Sequence, residues 1–105
     1  MTFVIKRGDL LPPFVVTLTD DGVPVNLSSA TTIKANGYRH GVKVVDISIG
    51  GPFSTVGLVT VNWAAPMTDL LGLILFEFPV TWPGGKVQTF PQDGFERVRV
   101  SVDGA

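Results

Sequence analysis

From Ile74 to Trp82 every second residue is large and apolar: Ile74, Phe76, Phe78, Val80 and Trp82. A period of two predicts a β-strand with all five side chains on one buried face. Pro83-Gly84-Gly85 follows as a turn, and Val87 to Phe90 returns as a second apolar run. Two such runs around a Pro-Gly-Gly turn predict a β-hairpin over Phe76–Pro91.

The same alternation recurs along the chain. Phe3 to Lys6 predicts a short opening strand, closed off by Arg7-Gly8-Asp9 and Pro12-Pro13. Phe14, Val16 and Leu18 alternate with Val15, Thr17 and Thr19, a second strand that ends at the Asp20-Asp21-Gly22 turn signal. Val23 to Leu27 returns as a segment that Pro24 confines to an edge or an irregular path. Thr31–Tyr38 and Val42–Ile49 predict two longer strands about an Arg39-His40-Gly41 loop. Beyond Gly50-Gly51-Pro52, Val59, Val61 and Trp63 share one face of the next strand. Ala64 to Leu71 is the one place for a helical turn, with Pro66 suited to its start. Finally, Phe95 to Val102 predicts a strand with Val98, Val100 and Val102 inward and Arg97, Arg99 and Ser101 outward.

Short strands separated by turns about every ten residues describe a β-sandwich or a small barrel. The 105-residue length suits the sandwich and leaves no room for a second core. The expected fold is therefore all-β: one domain spanning residues 1–105, an immunoglobulin-like antiparallel β-sandwich of about seven to eight short strands.

Composition narrows the function classes. With 45% hydrophobic and 16% charged residues the chain is globular. So little charge leaves either apolar surface that other subunits cover or an ordinary surface rich in Thr, Ser and Gly. A net charge of −1 argues against a nucleic-acid partner, which needs basic surface to neutralise phosphates. The absence of cysteine excludes disulfides, thiolate metal sites and cysteine nucleophiles. The start, MTFVIKRGD, lacks a signal-peptide core, and Leu70–Phe76 is too short an apolar run to span a bilayer. Synthesis in a cytoplasm, without a membrane partner, is expected.

Candidate chemistry is sparse. His40 is the single histidine, but there is no Gly-x-Ser-x-Gly elbow to give it a nucleophile, so an exposed loop histidine is the preferred reading. Asp20 and Asp21 lack the further oxygens of a calcium loop. Gly84-Gly85-Lys86 is followed by Val87 and a strand, not by the Ser/Thr and helix of a phosphate loop. Arg7-Gly8-Asp9 matches an integrin-binding tripeptide and Asn26-Leu27-Ser28 a glycosylation pattern. Both are preferred as turns, the second through hydrogen bonds from Asn26 or Ser28 to nearby backbone. No catalytic residue, metal or cofactor is expected. Among the aromatics, Trp63, Trp82, Phe76 and Phe78 belong to the core. Phe53, Phe90 and Phe95 stand near turns, and although core is favoured for each, they are the candidates for a protein-contact patch with aromatic anchors.

Several phrases also occur in order: Lys6-Arg7-Gly8-Asp9 with Pro12, Asp21-Gly22-Val23-Pro24-Val25-Asn26-Leu27-Ser28, Phe76-Glu77-Phe78-Pro79-Val80-Thr81-Trp82-Pro83-Gly84-Gly85, and Thr89-Phe90-Pro91. Together they resemble the N-terminal domain of the phage baseplate upper protein family, over about Phe3 to Val102. Gly84-Gly85 departs from that wording, where an acidic residue before glycine is expected. The resemblance implies a non-enzymatic virion protein, made in the host cytoplasm, that joins other tail or baseplate proteins and forms a homo-oligomer in the particle. Members of the family usually continue into a stalk or receptor-binding region, so the end at Ala105 favours an adaptor, collar or decorating subunit. Two alternatives stay open: a capsid decoration protein, and an adhesion or carbohydrate-binding module.

Overall fold

The computed structural model describes residues 2–65, 67–69 and 71–102. Ten strands follow one another: β1 (Thr2–Lys6), β2 (Phe14–Thr17), β3 (Thr19–Asp20), β4 (Val23–Pro24), β5 (Thr32–Arg39), β6 (Val42–Ser48), β7 (Leu58–Val61), β8 (Gly72–Thr81), β9 (Val87–Phe90) and β10 (Glu96–Ser101). The fold is all-β, with no helix among the described residues. Where a helical turn is expected, the Met67 N–H reaches the Ala64 carbonyl at 2.8 Å and the chain turns once. Pro66, suited to the first turn of that segment, lies outside the described residues, as does Leu70.

Five strands form the large sheet in the order β1-β10-β8-β5-β6, with β9 pairing the far half of β8. A two-stranded sheet, β2-β7, packs against its inner face, and β3-β4 is a small separate hairpin. Apolar side chains from both main sheets make one core. The expected hairpin is present: Phe78 pairs with Phe90 and Thr81 with Val87. The Trp82 N–H donates to the Lys86 carbonyl across the turn, and Gly84 and Gly85 take φ of 90° and 81°. Ile74, Phe76, Phe78 and Val80 are all buried, as their alternation requires. Burial of one such side chain contributes about 1.5–3 kcal/mol, so this strand face is the largest single apolar contribution to the core.

A chain of rings ties the two sheets together. Phe3 lies 5.1 Å from Phe14, and Phe14 stacks on Trp63 at 6.3 Å. Trp63 meets Phe76 edge-on at 5.9 Å. The indole of Trp63 donates to the Pro12 carbonyl at 3.0 Å, which satisfies its polar end while the ring is buried.

Four expectations need correction. The single strand over Phe14–Thr19 is two, because at Leu18 the backbone changes partner: its N–H goes to Gly57 and its carbonyl accepts from Val25. Val102 is exposed, since β10 ends at Ser101, where its partner β1 ends at Lys6. Trp82 stands past the end of β8 and is only half buried, with its indole donating to Gln88 at 3.1 Å. The sheet is also not wholly antiparallel: β1 runs parallel to β10, joining the first strand to the last.

Candidate functional site

The candidate site is the outer face of the large sheet, and register builds it. A residue on one strand stands beside its Cα partner on the next, so side chains of one parity form rows across the sheet. One row runs Val4, Arg99, Leu73. The next runs Arg97, Leu75, Tyr38, Lys43. A third runs Glu77, Asn36, Asp46. The inner partners of the same strands, such as Val98, Ile74 and Phe76, are the core residues already described.

Apolar side chains stand at solvent-facing positions of this face. Val4 is 54% exposed and Leu73 42%, on either side of Arg99. Phe95, just before β10, is 44% exposed and sets its ring edge-on to Tyr38 with centroids 6.3 Å apart. The Tyr38 hydroxyl donates to Glu77 Oε1 at 3.2 Å. Burial among its neighbours pushes the Tyr38 phenol above its ordinary value, and the Glu77 carboxylate adds to the shift. The tyrosine is therefore a neutral hydrogen-bond donor at pH 7.

The charges divide into a satisfied side and an open side. Asp46 receives Lys34 Nζ at 2.6 Å and Lys43 Nζ at 3.6 Å. The hydrogen bond from Lys34 holds the Asp46 carboxyl below the usual carboxylate range. Arg97 and Arg99 form no salt bridge among the described residues. Asn36, at the centre of the third row, is buried with its Oδ1 lacking a partner among the described residues. The face thus presents two open guanidinium groups within a border of Val4, Leu73, Leu75, Tyr38 and Phe95. Arginine and aromatic residues of this kind carry most of the energy in protein interfaces.

The three candidates for a contact patch, for each of which core is the favoured reading, do not come together. Phe95 lies on the outer face. Phe90 is fully buried, because pairing with Phe78 turns its ring into the core, and it cannot be a surface anchor. Phe53 is half buried and packs on the core near β7. Tyr38, Leu73 and Val4 are members of the face that sequence reasoning missed. The alternation of β8 does mark Leu73 as outward, but no local signal brings Tyr38 to Phe95.

The remaining motifs are turns. His40 and Gly41 take φ of 50° and 78°, and Asp21 and Gly22 take 53° and 79°. Consecutive positive values are those of the tight two-residue hairpin turn. Gly8 donates to the Thr68 carbonyl and Asp9 to the Lys6 carbonyl, which folds the Arg7-Gly8-Asp9 tripeptide into the loop. Ser28 donates both its N–H and its hydroxyl to Asn26 Oδ1, at 3.0 and 2.7 Å. No group of three or more His, Cys, Asp or Glu residues able to hold a metal occurs among the described residues. No helix long and apolar enough to cross a membrane occurs among the described residues. No family model, curated protein or solved structure matches the chain.

Proposed function

We propose that this chain is a non-enzymatic structural protein of a phage virion, a β-sandwich subunit of the tail or baseplate that acts through protein-protein contacts. The observation that carries the reading is the outer face: an exposed aromatic-aliphatic border around two arginines that no acidic side chain among the described residues neutralises. A face of that composition is stabilised when a second protein covers it. The ordered turn phrases that resemble the baseplate upper protein domain supply the setting, a particle in which such faces are covered by neighbours or by further copies of the chain.

Strand order supports an immunoglobulin-like reading of the sandwich. β2 and β7 pair in one sheet, while β5, β6, β8 and β10 pair in the other, so the chain crosses between sheets as it does in that architecture. The test is fractionation of purified particles with mass spectrometry. The chain should be found in virions, and its absence from them would sink the reading.

A further inference from the structure

The outer face is one surface; the open flank of the sandwich is another. There β1, an edge strand of the large sheet, and β2, one of the two strands of the small one, face each other across a cleft of about 470 Å³. We propose that this cleft accepts an extended strand of another protein, one carrying a lysine or arginine that meets Glu96.

Backbone geometry comes first. The Leu18 N–H donates to Gly57, one step beyond the Thr17–Leu58 pair. Hydrogen-bonded and non-bonded pairs alternate in an antiparallel ladder, so the N–H and C=O of Val15 and Thr17 point away from β7. The Arg7 N–H donates to Ser101 across the parallel pair, which by the same alternation turns the N–H and C=O of Val4 away from β10. Both walls therefore offer rows of unpaired backbone groups, which only another extended chain satisfies in series.

The two ends of the β1-β10-β8-β5-β6 path are also treated differently. At the far edge, β6 carries a bulge opposite Gly37 and Tyr38 and the charged residues Lys43 and Asp46. Those are the devices that discourage strand addition. β1 and β2 have no proline or bulge, and their single charge, Lys6, stands at the end of β1. Phe3, Phe14 and Val16 make the cleft apolar, and Val4 and Val15, both about half exposed, form its rims.

Charge selects the occupant. Among the described residues Glu96 is the one ionisable group lining the cleft, and it forms no salt bridge with any of them. A guest strand with alternating apolar residues and one cation would fill the cleft and pair that carboxylate. Flat edge-to-edge pairing of two copies through β1 would leave both the cleft and Glu96 uncovered. The inference does not depend on the outer face, whose role is tested by variants at Phe95.

The probe is a capped synthetic nonapeptide of alternating threonine and valine with a central lysine, added to isotope-labelled protein and followed by amide shifts and hydrogen exchange. Saturable binding with new protection at Val4, Val15 and Thr17 is expected. Glu96→Gln should weaken binding roughly tenfold, the scale of one charge-assisted hydrogen bond. A peptide N-methylated at alternate residues should not bind. Val15→Pro removes an edge N–H that the fold does not use, so it should keep the melting temperature while losing the peptide. Absence of any response at β1 and β2 would overturn the proposal, as would equal binding of the N-methylated peptide. Protection of these amides on raising protein concentration alone would overturn it too, by assigning the flank to a second copy.

Discussion

A Cβ added to Gly37 would stand 3.1 Å from Cζ of Phe76, its register partner on β8, and 2.9 Å from Cγ2 of Ile74. The glycine is there because two large side chains of the neighbouring strand converge over its backbone, and Val45 closes the third side at 3.1 Å. Its φ lies outside the left-handed region, so the constraint is space and not conformation. Gly37→Ala should therefore act as overpacking and cost about 1–3 kcal/mol. Urea unfolding of the two proteins measures it; an unchanged midpoint would mean that Ile74 can retract.

Gly57 combines both constraints. It takes φ of +80°, and a Cβ would lie 2.6 Å from the Leu18 carbonyl oxygen, a backbone atom that also accepts from Val25. Gly84 has a similar φ of +90° but open space around it. Alanine at Gly84 should cost about 1–2 kcal/mol, the left-handed penalty alone. Alanine at Gly57 should cost clearly more, because two hydrogen bonds at Leu18 must shift. Equal losses in thermal melts would rule out the steric account.

What was legible in the sequence was whatever one strand decides by itself. The inward set on β8 follows from alternation, the tight turn at Asp21-Gly22 follows from its residue types, and the break at Arg39-His40-Gly41 reads as a loop. What was illegible depends on distant partners. Phe90 stands beside a turn, where core and contact patch both stay open, and its pairing with Phe78 settles it as core. The parallel union of β1 and β10 joins the two ends of the described chain, and only that union places Val4 beside Arg99. Tyr38 meets Phe95 for the same kind of reason, across β8.

Asp46 gives the fold a defined acid response. Hydrogen bonding to Lys34, with Lys43 nearby, lowers its folded pKa below the unfolded value of roughly 3.9. A group lowered in this way stabilises the fold above the unfolded pKa, and the contribution disappears as pH falls through the folded one. Asp46→Asn should thus be slightly less stable than the parent at pH 7, with the two converging as pH falls through the lowered carboxyl's titration. Added salt should shrink the difference at pH 7, since the pair is exposed. A gap that persists at pH 2 would point to packing instead of charge.

Phe90 and Phe95 separate folding from assembly, since one ring is wholly inside and the other lies against Tyr38 on the outer face. Phe90→Ala should cost about 3–5 kcal/mol, much of the stability of a domain this small. Phe95→Ala should lose about 1 kcal/mol, chiefly the ring contact with Tyr38. If the outer face is a contact surface, Phe95→Ala will remain folded by circular dichroism yet fall out of purified particles. Adding Leu73→Ala should deepen that loss with little further change in melting temperature, because Leu73 is also exposed. Loss of Phe90→Ala from particles would say only that an unfolded chain does not assemble. A folded Phe95→Ala, Leu73→Ala double variant that still enters particles at the parent level would remove the outer face as the point of attachment.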